Sequence, residues 1–157
     1  MTVDHKPGNE KEYARIQSLG GEIEYDFQGG FYRVGNLSVS RAIGDRFAKP
    51  LVSGEVDITE FPIDENHDEF ILLASDGLYD VMSSQTIANF VREKLRAPLP
   101  DGFPMDDLEL LHALMASRRR KAAKFVAKEA VRRGSMDNIS VVIVWLKEDV
   151  GIGNNID

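Results

Sequence analysis

Two apolar runs constrain this chain more than any other feature, because each is the length of one strand and each carries an aspartate at one end. Phe70-Ile71-Leu72-Leu73-Ala74-Ser75 leads into Asp76-Gly77, and Ser135-Met136-Asp137-Asn138 leads into Ile139-Ser140-Val141-Val142-Ile143-Val144-Trp145-Leu146. The first run lacks alternation, which predicts a strand covered on both faces. One aspartate stands where a strand stops and the other where a strand starts. If the strands are antiparallel neighbours, both carboxylates reach the same rim of one sheet. Converging carboxylates on rigid strand ends make an all-oxygen site for a hard cation, Mg2+ or Mn2+. An aspartate in such a place also makes a turn, and taken singly each of these reads first as a turn residue.

A chain of 157 residues fits one domain, long enough to bury roughly 70% of its unfolded surface if compact. Nineteen basic against 26 acidic residues give a net charge of −7, which argues against binding nucleic acid by general electrostatics. With no cysteine there is no disulfide or thiolate metal site, so oxygen or imidazole must hold any metal. That composition fits a reducing compartment and predicts an intracellular place, cytoplasmic or nuclear. Residues 1–12 are polar and of mixed charge, with no secretory signal expected, and the apolar stretches are too short to span a membrane.

Along the chain, Asn9 followed by Glu12 predicts a capping box opening a helix through Leu19, closed by Gly20-Gly21. Residues 22–25 and 31–34 alternate around Gln28-Gly29-Gly30, a hairpin or ordered flap. Leu37-Ser38-Val39-Ser40 reads as another short strand, and residues 50–62 as extended segments with turns. Ser83 caps a helix whose Ile87, Phe90, Val91 and Leu95 share one face. Residues 97–104 form a loop. Residues 106–133 are helical, with a break possible near Arg118–Lys121 and a stop at Gly134. Leu110, Leu114, Phe125, Val126 and Ala130 supply that helix's apolar stripe and are read as core. Lys147 to Asp157 is a polar tail. Without a regular strand–helix alternation or a Gly-rich phosphate loop, the fold class predicted is α+β.

Taken in order, these segments resemble the metal-dependent serine/threonine phosphatases of the protein phosphatase 2C family. Thr2-Val3-Asp4-His5-Lys6-Pro7 is similar to that family's T-x-D-H-K-P segment, and Arg15-Ile16 with Gly20-Gly21 to its helix ending in a double glycine. Leu37 to Asp45 resembles its L-x-V-S-R-A-x-G-D signature. Leu73 to Val81 and Gly134 to Ile139 resemble its two later metal motifs. The resemblance runs from Thr2 to about Leu146. It implies a helix–sheet–sheet–helix sandwich of antiparallel sheets, of which residues 1–147 are the C-terminal portion and 148–157 the tail. The family's acidic E-D motif, its D-G-H-G-G motif with the bridging aspartate, and its upstream phosphate-binding arginine have no counterpart here. The only Asp-Gly pairs are Asp76-Gly77 and Asp101-Gly102. Residues 33–37 are also one residue shorter than the family pattern, and Tyr79 replaces a tryptophan.

For a full family member the resemblance implies hydrolysis of phosphoserine and phosphothreonine by a water activated between two Mg2+ or Mn2+ ions. Asp76 and Asp137 map onto ligands of one ion, and Asp80 onto a position associated with a third; Asp80 also reads as a helix-entry acid. The resemblance therefore implies a phosphoprotein substrate; the charge and the short apolar runs argue against a nucleic-acid or membrane partner, and the missing motifs predict little or no turnover by this piece alone. The alternative is a truncated, non-catalytic binding module, its open face covered by a dimer or a partner. Asp45 and His5 read as structural, Asn138 and Gly77 as shaping the turns that present the aspartates, and the Arg118–Lys121 run as a solvated helix face. Arg33 and Arg41 read as packing and hydrogen-bonding groups of the flap.

Overall fold

The computed structural model describes residues 2–64 and 66–147; the predicted tail from 148 lies outside the described residues. The chain divides into two compact units, Met1–Pro62 and Ile63–Asp157. Helices and antiparallel sheets make up both, so the class is α+β. No described helix is long and apolar enough to cross a membrane.

The first unit holds helix α1 (Glu10–Ser18), the hairpin β1 (Ile23–Asp26) and β2 (Phe31–Val34), and a 3-10 turn at Arg46–Ala48. The hairpin pairs Ile23 with Val34 through Asp26 with Phe31. Helix α1 ends as its sequence predicts: Gly20 takes a φ of 73°, Gly21 N–H bonds the Ile16 carbonyl and Gly20 N–H that of Gln17. The core is Ile16, Val34 and Val52, against which Ile23, Leu37 and Leu51 pack.

Two expectations fail in this unit. The capping box does not form, because the Asn9 side chain donates to the Asp4 carbonyl and makes no cap bond to the helix. Glu12 instead turns inward, is 3% exposed, and bonds Arg41 and Arg15 with its two carboxylate oxygens. Burial pushes its pKa up, yet bonds from Arg41, Arg15 and Ser40 overcome that and hold it at about 2. Arg15 also donates to the Ser40 and Leu51 carbonyls, and Arg41 to Asp57, which contacts His5 at 3.2 Å. A charged core of this kind pins α1 to the segment around Ser40–Asp57. The second failure is the strand at 37–40, which is reduced to a bridge between Val34 and Leu37. The backbone of Ser40 bonds His5 and Ser53 instead of a continuous neighbour, so no ladder can grow.

The second unit holds β3 (Phe70–Ala74), α2 (Asp76–Tyr79), α3 (Ser84–Leu95), α4 (Leu108–Arg132) and β4 (Val141–Trp145). Strands β3 and β4 are antiparallel, from Phe70 opposite Trp145 to Ala74 opposite Val141. Their inward residues meet a core of Leu78, Met82, Ile87, Val91, Leu95, Val126 and Ala130. Apart from Ala130, each of these side chains contributes about 1.5–3 kcal/mol when fully buried. Ser83 caps α3 by accepting from Thr86 N–H, and Asp107 caps α4 by accepting from Leu110 N–H.

Four readings change here. Helix α4 runs unbroken through 118–121, and its buried positions are Ala122, Val126 and Ala130. Of the predicted stripe, Val126 and Ala130 are core, whereas Leu110 and Phe125 are 44% and 38% exposed and Leu114 is half-buried: in a helix of 25 residues the buried positions all lie in the C-terminal half. The basic run is only partly a solvated face, since Arg118 donates to the Leu95 and Pro98 carbonyls and Arg119 lies over Trp145. Finally, Leu73, Val142 and Val144 on the outer face of the β3–β4 pair are 55%, 58% and 46% exposed, so the sheet is covered on one face, not both.

Candidate metal centre

The antiparallel register fixes where the two aspartates go. Beyond the last strand pair, Ser75 N–H bonds the Ser140 carbonyl at 3.1 Å, so the ladder continues one step and Asp76 comes level with Ile139. Just beyond the end of helix α4, Gly134 takes a φ of 95° that only glycine adopts freely, and the chain turns there towards Asp137 and β4. The carboxylates therefore approach one rim from opposite strand directions.

Four contacts lock the two segments together. Ser75 Oγ donates to the Asn138 carbonyl at 2.9 Å and accepts from Ser140 N–H at 3.0 Å. Ser135 Oγ donates to the Gly77 carbonyl at 2.6 Å. Gly77 itself is buried and lies so close that a Cβ there would sit 2.7 Å from the Asn138 carbonyl oxygen and 3.2 Å from Asp137 Cβ. The root of the Asp137 side chain thus packs against the residue directly after Asp76.

Each carboxylate is oriented by its own turn. Asp76 Oδ1 accepts from Gly77 N–H at 3.1 Å, and Asp137 Oδ1 from Asn138 N–H at 2.6 Å. One oxygen of each is thereby held by backbone, and the second oxygen makes no hydrogen bond among the described residues. Both side chains are exposed. Asp80 caps the C-terminus of α2, its N–H bonded to the Asp76 carbonyl, which puts it one helical turn beyond Asp76. No group of three or more His, Cys, Asp or Glu residues arranged to hold a metal occurs among the described residues. The two exposed carboxylates, Asp76 and Asp137, offer only oxygen donors, of the kind that suits a hard, well-hydrated cation rather than a closed cage.

The remaining candidates fall elsewhere. His5 and Arg41 belong to the charged core around Glu12, and Arg33 pairs with Asp26 and lies over Phe31. Asp45 adopts a left-handed backbone before the 3-10 turn, its side chain making no cap bond. Sequence reading missed Ser75 and Ser135 as the residues that hold the rim together, although a serine one or two positions ahead of each aspartate was the available signal. It also missed that Asp137, Asn138 and Ile139 form one wall of a groove of about 520 Å3 against α4.

The sequence profile of the family described as Protein phosphatase 2C matches residues 1–139. Protein phosphatase 2C 7 of Arabidopsis thaliana is 39% identical over 156 residues, covering 94% of this chain and 28% of the relative. Probable protein phosphatase 2C 6 of Oryza sativa subsp. japonica is 40% identical over 154 residues, covering 94% and 31%. Among solved structures, a C. elegans sex determining protein superposes with a TM-score of 0.74 at 30% identity, over 94% of this chain and 32% of that one. A serine-threonine phosphatase 2C from Toxoplasma gondii does so with a TM-score of 0.69 at 25% identity, over 94% and 46%. The chain thus spans less than half the length of each of these proteins while nearly all of it is matched. It belongs to the protein phosphatase 2C family.

Proposed function

We propose that this chain carries one rim of the active site of a protein serine/threonine phosphatase dependent on Mg2+ or Mn2+. In this reading Asp76 and Asp137 bind one ion, and Asp80 contributes to a further one. The observation that supports it is the junction at Gly77, which sets two remote carboxylates on one sheet edge, each with a free oxygen. When bound, such ions supply Lewis acidity and lower the pKa of a coordinated water. The chain's own part is to hold two carboxylates rigid: β3 and β4 fix the backbone, Ser75 and Ser135 tie the loops, and the Asp76 and Asp137 turns aim the side chains.

Two carboxylates on one rim hold a cation loosely, and the sequence has no counterpart of the family's bridging aspartate or phosphate-binding arginine. The chain alone therefore binds Mn2+ weakly and turns over phosphopeptides little or not at all. A phosphoprotein is the substrate of the longer enzyme, and the cysteine-free sequence supports an intracellular place, cytoplasmic or nuclear. The test adds Mn2+, a phosphothreonine peptide and the N-terminal part of a plant relative supplied in trans. Turnover that appears only with that part, and disappears in Asp76→Asn and Asp137→Asn, is expected. Turnover indifferent to both aspartates refutes the reading.

The exposed apolar face of Leu73, Val142 and Val144 favours a second reading, a non-catalytic module that binds a partner or its own copy. It predicts a complex with no turnover under those conditions. A monomer across a wide concentration range by analytical ultracentrifugation counts against its dimeric form.

A further inference from the structure

The groove beside Asp137 has a second wall that metal binding leaves unused: Lys124, Ala127, Lys128 and Val131 of α4. Lys124 and Lys128 are four positions apart, so they lie on one side of the helix, with Ala127 and Val131 adjoining. From 124 to 131 the helix rises about 10 Å, the reach of about three extended residues. The groove is shallow and open to solvent, with a volume of about 520 Å3, so it suits a segment lying along the surface rather than an enclosed ligand. Both lysines are exposed. Arg132 and Arg133, farther along the helix, are tied to Glu129, whereas Lys124 and Lys128 make no ion pair among the described residues.

We propose that this groove docks a short acidic segment next to the phosphorylated serine or threonine of a protein substrate. The two lysines face its carboxylates, and Ala127, Val131 and Ile139 take its apolar parts. The proposal rests on the phosphatase reading and adds a substrate class to it. Charge decides the occupant: in a chain of net charge −7, the two uncommitted lysines make a positive strip directly beside an acidic rim. Continuity decides the register, because Asp137 is both a wall of the groove and a candidate ligand. A segment lying along α4 therefore delivers its neighbouring residue to the rim.

The test uses the 157-residue chain and two fluorescent phosphothreonine peptides that differ only in three flanking positions, all Asp or all Gln. Binding is read by anisotropy without divalent metal and again with Mn2+. The wild-type chain is expected to prefer the Asp peptide by about tenfold, the size that two exposed charge pairs provide, and the preference shrinks as salt rises. Lys124→Met with Lys128→Met, which keeps the helix and its apolar stems, abolishes the preference. Lys124→Glu with Lys128→Glu removes or inverts it. Equal affinity for the two peptides, absence of binding to either, or a preference surviving both variants overturns the proposal. If instead Asp76→Asn leaves Mn2+ affinity unchanged while the lysine-dependent preference stands, the metal reading fails and the docking surface does not.

Discussion

Replacing Gly77 by alanine tests the contact that brings the two strand ends together. The new Cβ would lie 2.7 Å from the Asn138 carbonyl oxygen, 3.2 Å from Asp137 Cβ and 3.3 Å from Ile139. Ordinary contact begins at 3.4 Å, so the carbonyl must retreat by about 0.7 Å. It is not free to do so, because it accepts from Ser75 Oγ at 2.9 Å, and a retreat of that size takes such a bond beyond useful length. Overpacking costs about 1–3 kcal/mol and the weakened bond about 1 more, a total of about 2–4 kcal/mol. Trp145 is the sole tryptophan and sits on β4, so its fluorescence reports the unit that is perturbed. With a urea dependence of about 2 kcal/mol per molar, the unfolding midpoint of Gly77→Ala falls by about 1–2 M. Mn2+ affinity falls with it, since Asp137 is displaced. A midpoint unchanged within about 0.3 M, with unchanged Mn2+ binding, would show that the close approach at Gly77 does not hold the rim.

Other expectations follow from the two units. Leu95→Ala, at a position 2% exposed, costs about 2–5 kcal/mol in urea unfolding, whereas Leu110→Ala, at 44% exposure, costs less than about 0.5; comparable losses would restore Leu110 to the core. Glu12→Gln leaves Arg15 and Arg41 short of their shared partner and costs about 3–5 kcal/mol, read by hydrogen exchange in α1. Because the folded-state pKa of Glu12 is depressed from 4.5 to about 2, its contribution of about 3 kcal/mol is present above pH 4.5 and lost as pH falls towards 2. The glutamine variant should therefore lose less stability than wild type across that window, and parallel acid profiles would contradict the assignment. Gly134→Ala, at a φ of 95°, costs about 1 kcal/mol by straining the turn that leads from α4 to Asp137, an effect measurable by the same tryptophan signal.

The parts of the fold that sequence made legible are those with local, redundant signals. Helix α3 combines a serine cap with an apolar face at Ile87, Val91 and Leu95, and the hairpin combines alternation with a glycine turn. Helix α1 was located by its periodicity and its double glycine, but the role of Glu12 was not, since a capping box and a buried ion pair begin with the same residue. The deciding partner, Arg41, is distant in sequence, and no local rule names it. The same limit explains α4. Its apolar residues recur at helical spacing along the whole length, yet only the half that crosses the sheet is buried, and nothing in the spacing says where the sheet ends. At the candidate site, the aspartates and their glycine and asparagine neighbours were legible from the strand boundaries. Ser75 and Ser135 were not, because their hydrogen bonds span the gap between β3 and the α4–β4 turn.

The most direct measurement of the central claim is a Mn2+ binding isotherm, followed by electron paramagnetic resonance, on wild type, Asp76→Asn, Asp137→Asn and the double variant. If both carboxylates hold one ion, each single variant loses at least about tenfold in affinity for the same site and the double variant is little worse than either. Binding that survives Asp137→Asn at wild-type affinity, or two independent losses that add in full, would mean that the two strand ends do not share a cation.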